Sequence, residues 1–469
     1  MELISGASAR GRWVLAATVL GSGMALLDST VVNVALRDLG VALDATVAQL
    51  QWVVNAYMLT LASLILVSGS LGDRFGRRRL FMAGVAAFAV ASALCALART
   101  ADQLVAARLV QGVGAALLTP GSLAIIQGSF RAQDRARAIG QWAGMGGIAA
   151  AIGPVLGGWI LDHGSWRWIF AINVPVAVLV LAICARQVPE TRDPQASTGF
   201  DVPGALATVV ALGGLTYALI EAGEAPASYV VPAAVVGGLA VVALVALERR
   251  SAHPLVPLAL FGSRVFSVAN AMTLVVYGAL GAMSFFLVLQ LQVSVGYTPL
   301  EAGLATLPIT LALLVLSARS GALATRIGPR WQMSAGPLLC ALGVLLLSGV
   351  DASSGYVADV LPGVVLFSLG LAALVAPLTA SVLAAAPDRF AGVASGINNA
   401  VARTGSLLAV AALPTLVGIT GADYRQPEVF TAGYARAQLI CAALLLVGGV
   451  VSFVGLRGTR PVPDVPRLR

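Results

Sequence analysis

Charge is what this sequence has least of. Only 11% of its 469 residues are Asp, Glu, Lys or Arg, against roughly 25% in a typical soluble domain. Lysine is missing altogether, and all 29 basic residues are arginine. A water-soluble globule cannot cover its surface with so few charges, because these residues normally dominate the exposed layer. That excludes a soluble enzyme, a disordered tail and a nucleic-acid binder. The net charge of +8 does not restore the last class, since the arginines fall in small groups between apolar runs and form no continuous basic face. Without lysine there is no P-loop, so ATP drive of that kind is excluded. Histidine occurs twice, as His163 and His253, both in loops and in no metal-binding or triad spacing. The four cysteines, Cys95, Cys184, Cys340 and Cys441, sit in or at the ends of apolar runs without a CxxC spacing, which reads as small packing residues.

What is present is apolar. Hydrophobic residues make up 58% of the chain, and the mean hydropathy is +0.91. Measured against the roughly 20 apolar residues a helix needs to cross the hydrocarbon core, the sequence holds fourteen runs, from 13–35 to 434–456. Helices are the structure such runs allow, because lipid offers no partner to free backbone groups and the runs are too long and too apolar for barrel strands. The first run is too long for a secretory signal and lacks a small-residue cleavage site, so it reads as an uncleaved helix. With the N-terminus in the cytoplasm, 22 arginines face the cytoplasm and five (Arg37, Arg99, Arg167, Arg425 and Arg436) the opposite side. That is the positive-inside bias, and fourteen spans put both termini in the cytoplasm.

Three intramembrane charges remain: Asp28, Arg108 and Arg403. Asp28 is the one carboxylate well inside a span, and a charge there costs on the order of 3 kcal/mol on insertion scales. Such a group marks a pathway or a relay. From span limits of 13–35 and 104–125, Asp28 and Arg108 lie at similar depth, about 10 Å in at 1.5 Å per residue, and can approach one another. Two readings follow. Asp28 carries a coupling proton whose uptake Arg108 biases, or the two form a static ion pair joining helices 1 and 4.

The chain also repeats itself. Gly69–Arg78, between spans 2 and 3, aligns with Gly321–Arg330, between spans 10 and 11, at a shift of 252, with identities at Gly69, Leu71, Arg74, Gly76 and Arg78. A weaker echo pairs Leu117–Pro120 with Leu374–Pro377. The expected division is 1–200 as an N-terminal six-helix bundle, 201–250 as an inserted helix pair and 251–469 as a C-terminal six-helix bundle. Duplicated bundles of this kind suit alternating access about a midplane site.

Five segments then carry a family resemblance. They are Leu27–Leu36 with Asp28, Thr30 and Asn33; the loop Gly69–Arg78; Leu104–Gly114 with Arg108 and Gln111; Gly144–Gly158 with Gly153 and Pro154; and Trp166–Pro175. With them the sequence resembles the major facilitator superfamily, and more narrowly its fourteen-helix drug:proton antiporters. Two departures stand out. Arg37 replaces a proline usual in the first motif, and the second-half loop has Thr325 where the first has Asp73.

The resemblance implies an all-α polytopic membrane protein of the major facilitator fold, with two six-helix bundles and an inserted pair. It implies a proton-coupled exporter of hydrophobic or amphipathic small molecules, with no enzyme activity, cofactor or metal and with the proton gradient as the drive. A dedicated exporter of one metabolite, such as an endogenous antibiotic, is the alternative; a membrane-embedded enzyme is the reading from a different class. The expected partners are substrate, protons and lipid, without nucleic acid, and the expected state is a monomer in a bacterial cytoplasmic membrane. The resemblance gives Arg108 a proton-transfer role beside Asp28. It makes Gly69, Gly72, Asp73, Arg74, Gly76 and Arg77 a conformational switch in which Asp73 latches the two halves by facing a helix N-terminus in the other half; a turn residue in a solvated basic loop is the plainer reading. Gly153 and Pro154 are read as packing and hinge residues of helix 5. The substrate-contact candidates are Asn33, Trp52, Asn55, Tyr57, Gln111, Asn270, Tyr277, Asn399 and Arg403, each equally able to make an interhelical hydrogen bond.

Overall fold

The computed structural model describes residues 3–192, 201–251, 254–387 and 390–457. His253, Arg389, Arg460, Arg467 and Arg469 lie outside them. The described chain is helix after helix: α1 (Ala9–Ala42), α2 (Val47–Phe75), α3 (Arg77–Leu97), α4 (Ala101–Ser129), α5 (Ala132–His163), α6 (Arg167–Gln187), α7 (Val202–Glu221), α8 (Ala227–Arg250), α9 (Arg264–Val293), α10 (Pro299–Ile327), α11 (Pro329–Leu347), α12 (Tyr356–Ala384), α13 (Ala391–Leu416) and α14 (Pro427–Gly455). Thirteen of these are long and apolar enough to cross a membrane. The remaining one, α13, has its apolar run interrupted by Asn398, Asn399 and Arg403. Most helices overrun the sequence estimate. Helix α1 continues to Ala42, so Asp28 lies fourteen residues, about 20 Å, from that end rather than the 10 Å expected.

Local chemistry explains where the helices begin and end. Ser8 accepts from Gly11 N at the start of α1, Thr46 and Gln49 form a reciprocal capping box on α2, and Thr100, Asp201 and Ser263 cap α4, α7 and α9. Helices α2 and α3 are broken apart by Gly76 at φ +110°, and α10 and α11 by Gly328 at φ +84°. Those angles belong to the left-handed region that glycine adopts without steric cost. The repeated loop is therefore a repeated backbone break.

The helices group into two compact units. One holds α1–α8 together with Tyr297–Leu304 and Thr420–Ala422. The other holds α9, the rest of α10, and α11–α14. In the first unit α3 packs on α4, α2 on α4 and α1 on α5; in the second α11 packs on α12 and α9 on both α13 and α14. Close approach rests on glycine, as it does in lipid where no hydrophobic force drives helices together. A Cβ on Gly84 of α3 would come within 2.8 Å of Leu118 N, and one on Gly336 of α11 within 2.8 Å of both Gly370 O and Leu374 Cβ. These glycines are 252 residues apart, so the repeat extends into the packing. Helix α7 lies on α2, and α8 packs on α7 with only Gly237 and Glu248 buried and much of its apolar surface exposed.

Candidate functional site

At the middle of the first unit, four helices converge on one acid. Asp28 and Arg108 are both 1% exposed. Arg108 Nη1 donates to Asp28 Oδ2 in a direct ion pair. Gln111, one turn along α4, donates from Nε2 to Asp28 Oδ1 at 2.8 Å and accepts from Arg108 Nη1 at 2.7 Å. Asn173 Nδ2 donates to Asp28 Oδ1 at 3.3 Å, and Ser92 Oγ accepts from both Gln111 (2.9 Å) and Asn173 (3.4 Å). Both carboxylate oxygens thus accept from donors. Arg108 is fixed independently of Asp28. Its Nε donates to Val53 O at 3.0 Å, and its guanidinium lies 4.3 Å from the Tyr57 ring centroid, whose hydroxyl donates to Ala25 O at 3.2 Å. Removing either charge strands the other; breaking a buried pair this way typically costs about 3–5 kcal/mol.

The two charges that sequence spacing brought to similar depth are therefore in contact. Two residues read as substrate contacts, Tyr57 and Gln111, belong to this network: Tyr57 supports Arg108, and Gln111 bridges the pair. Ser92 is its unanticipated member, and Asn173, part of the family-like segment Trp166–Pro175, carried no assigned role there. Asn173 follows the interruption of α6 at Ile172, and a polar residue at a helix break within an apolar run was the available signal.

Helix α5 is held against α1 beside the acid. A Cβ on Gly153 would collide with Thr30 Oγ1, and one on Gly157 would lie 2.7 Å from Val31 Cγ1. Gly158 faces Leu300, and Gly303 faces the Pro154 carbonyl. Gly144 and Gly147 have open space around them and a Cβ on Gly146 would lie 3.3 Å from Leu26 Cδ1, so the tightest packing is in the second half of that glycine-rich segment.

The loop Gly69–Arg78 has its own network. Asp73 Oδ1 accepts from Arg77 Nε at 2.8 Å and pairs with Nη2 at 2.7 Å, and Arg77 Nη1 reaches Ala124 O at 3.4 Å. Arg74 is exposed, its guanidinium 5.2 Å from the Phe75 ring centroid, while Gly69 is half-buried and Gly72 buried. The acid at the N-terminus of α3 is Glu190. It accepts from Arg78 N (3.1 Å) and Arg79 N (3.3 Å) at the start of α3, with the guanidiniums of both 3.7 Å away. Anions are favoured at that end of a helix. Gly76 leaves the room, since a Cβ there would sit 2.6 Å from Glu190 Oε1.

The other substrate candidates divide by place. Trp52 donates to Glu221 Oε1 at 2.9 Å, in a cavity of about 530 Å³ shared by α2, α4 and α7 and lined also by Asp102 and Glu224. Asn33 is half-buried and reaches Ser29 O at 3.5 Å. Asn55 is fully buried, with neither amide atom hydrogen-bonded among the described residues. In the second unit, Asn270 and Thr273 of α9 accept from Asn398 Nδ2 of α13 at 3.2 and 2.8 Å. Tyr277 lies within electrostatic reach of Arg403, and Asn399 is exposed and donates to Ser395 O at 3.3 Å. Among the described residues no cluster of three or more His, Cys, Asp or Glu could hold a metal.

Residues 18–410 match the family model described as Major Facilitator Superfamily. The chain is 37% identical over 406 residues to multidrug resistance protein Stp of Mycobacterium tuberculosis, covering 86% of this chain and 75% of that protein. It is 35% identical over 438 residues to the tetracenomycin C resistance and export protein of Streptomyces glaucescens, covering 92% and 80%. Among solved structures, an auto-inhibited peptide transporter of the POT family superposes with a TM-score of 0.72 over 97% of this chain and 98% of that one, at 15% identity, a likeness of fold alone. This multi-pass membrane protein belongs to the Major Facilitator Superfamily.

Proposed function

We propose that this protein is a proton-coupled secondary exporter of hydrophobic or amphipathic small molecules. It works by alternating access in a bacterial cytoplasmic membrane, as a monomer, with both termini in the cytoplasm. The observation that carries the reading is the buried Asp28–Arg108 pair, set in a chain whose relatives are named for drug and antibiotic resistance.

Asp28 is the proton carrier. As a carboxylate it draws Arg108, Gln111 and Asn173 together. Taking up a proton removes the charge those donors answer to and loosens α1 from α4 and α6. Arg108 keeps its hold on Val53 O and the Tyr57 ring in either state, so it can release the acid without leaving its place. The loop Gly69–Arg78, with Asp73 as its acid, serves as the latch between alternating states. No cofactor enters this scheme; the proton gradient is the drive.

The test is export by Asp28→Asn in proteoliposomes with an imposed pH difference. The amide keeps the size of the acid and resembles its protonated form, with one acceptor oxygen and N–H donors, but cannot cycle a proton. Uphill export should disappear while downhill counterflow of the same drug persists. Uphill export at the wild-type rate would remove Asp28 from the coupling role.

A further inference from the structure

The inserted helix α7 helps to build a cavity that the proton-coupling scheme does not use. With α2 and α4 it encloses about 530 Å³ where α2 begins and α7 ends, and every lining residue belongs to the first unit. Part of the lining is apolar, as at Val105 and Leu109. Part is acidic, at Asp102, Glu221 and Glu224, and no lining residue is basic. Each acid is held by a neutral donor: Asp102 by Gln49 Nε2 at 3.0 Å, Glu221 by Trp52 Nε1 at 2.9 Å and Glu224 by Gly421 N at 2.9 Å. Among the described residues none of the three forms an ion pair. Three carboxylates thus converge on one cavity with no arginine to answer them.

Deeper along the same two helices lie buried polar groups without a partner. Asn55 of α2 is fully buried, and neither of its amide atoms is hydrogen-bonded among the described residues; the same is true of the Thr216 hydroxyl on α7. Ala48 and Trp52 line the cavity, and Asn55 follows them at i+7 and i+3 on one face of α2, so its amide continues that wall about 4–5 Å further in at 1.5 Å per residue. Trp52 meets both Glu221 and Tyr217 of α7, the latter at 6.3 Å between ring centroids. Because the start of α2 and the end of α7 share the cavity, the two helices run in opposite directions, and Asn55 falls near the level of Thr216. A buried polar group with no protein partner calls for a water, an ion or a ligand.

We propose that this cavity binds an organic cation with an apolar body, its charge beside Glu221 and the Trp52 ring and its far end toward Asn55 and Thr216. An indole face attracts a cation while covering apolar surface, and carboxylates held only by neutral donors leave their charge uncompensated. The cation is organic rather than metallic: among the described residues no set of three or more acids could hold a metal ion, whereas the volume is that of a small-molecule pocket. The place of the site on the cargo path, at the outer end of the first unit, rests on the export reading above and narrows its substrate class; the binding itself does not depend on export.

Two fluorescent probes of matched size test it: N-methylacridinium, a permanent cation, and 9-methylacridine, neutral in mildly alkaline buffer. Binding is measured by fluorescence on the full-length protein in detergent, and uphill export of both in proteoliposomes. Wild type should favour the cation by about tenfold, the scale of a partly screened charge contact joined to a cation–π contact. Glu221→Gln, which keeps an acceptor for Trp52, should collapse that preference, and Trp52→Leu should lower it. Asn55→Leu should weaken both probes several-fold by closing the polar end of the cavity. Should Glu221→Gln fail to fold, the double variant Asp102→Asn with Glu224→Gln, at exposed positions, decides by a fall in the same preference. Equal wild-type affinities, a preference unchanged in the acid variants or in Trp52→Leu, or unaltered binding in Asn55→Leu overturns the inference while leaving the export reading intact. Cation-selective binding that these variants abolish, without uphill export of either probe by wild type, would overturn the export reading alone.

Discussion

The two units share a backbone plan and differ in what they bury. The first encloses an acid and an arginine that satisfy each other across α1 and α4, with amides from α4 and α6 completing the acid's shell. The second has at its α9–α13 crossing an amide–hydroxyl cluster, in which Asn398 donates to Asn270 and Thr273. In the coupling proposed above, the reversible acid and the partner it gives up both lie in the first unit. Both halves have the same glycine breaks and close helix crossings, while their charged positions differ.

The largest effect should come from destroying the asymmetry at its acid. Asp28→Asn should lower uphill drug accumulation by two orders of magnitude or more, whereas the polar substitution Asn270→Ser in the second unit should leave the proton-to-cargo ratio at the wild-type value. That ratio is read from simultaneous pH-dye and cargo signals. A changed ratio in Asn270→Ser would break the division of labour.

The glycine pair sharpens the comparison next. Both Gly76 and Gly328 have positive φ, so alanine at either should destabilise by about 1–2 kcal/mol through backbone strain. Only at Gly76 does the new methyl also meet a carboxylate, that of Glu190; at Gly328 it meets open space. Thermal unfolding in detergent should therefore place Gly76→Ala below Gly328→Ala, and equal midpoints would mean that Glu190 yields freely.

Glu190→Ala leaves the first amides of α3 without their acceptor, a loss of about 1 kcal/mol by analogy with helix caps. It should show as faster hydrogen exchange at Arg78 and Arg79 relative to the corresponding start of α11. The smallest change is the reverse experiment, Thr325→Asp with Pro329→Arg, which gives the second loop the i,i+4 acid–arginine pair that Asp73 and Arg77 make in the first. Such a pair contributes about 0.3–0.5 kcal/mol. A midpoint rise larger than that would show the second loop to be more buried in function than Thr325 and its exposed neighbours suggest.

The sequence made some of this plain and hid the rest for identifiable reasons. Apolar runs of lipid length announce helices by composition alone, and Gly76 and Gly328 mark breaks because few other residues take those angles. Asp28 and Arg108 stood out because charge in an apolar run is costly wherever it falls. Tyr57 and Gln111 were read as ligand contacts because, seen along one helix, a polar group inside a span has no stated partner. Their partners come from α1 and from Arg108, which only the packing brings near. Ser92 and Asn173 are ordinary small polar residues until four helices converge on them. Glu190 follows α6 in a short connecting segment where an acid looks solvated, and its role appears only when the chain returns to the start of α3. Asp28 lies farther from the end of α1 than a span limit of 35 implies, because the helix continues past Arg37 and Asp38 to Ala42.

The most direct measurement is the proton movement that cargo itself provokes. Adding drug to de-energised proteoliposomes with no pH difference should drive protons the opposite way across the membrane, in fixed proportion to cargo, in wild type and in Glu190→Ala, and should provoke none in Asp28→Asn. Cargo flux with no accompanying proton movement in wild type, or an undiminished proton signal in Asp28→Asn, would contradict the account.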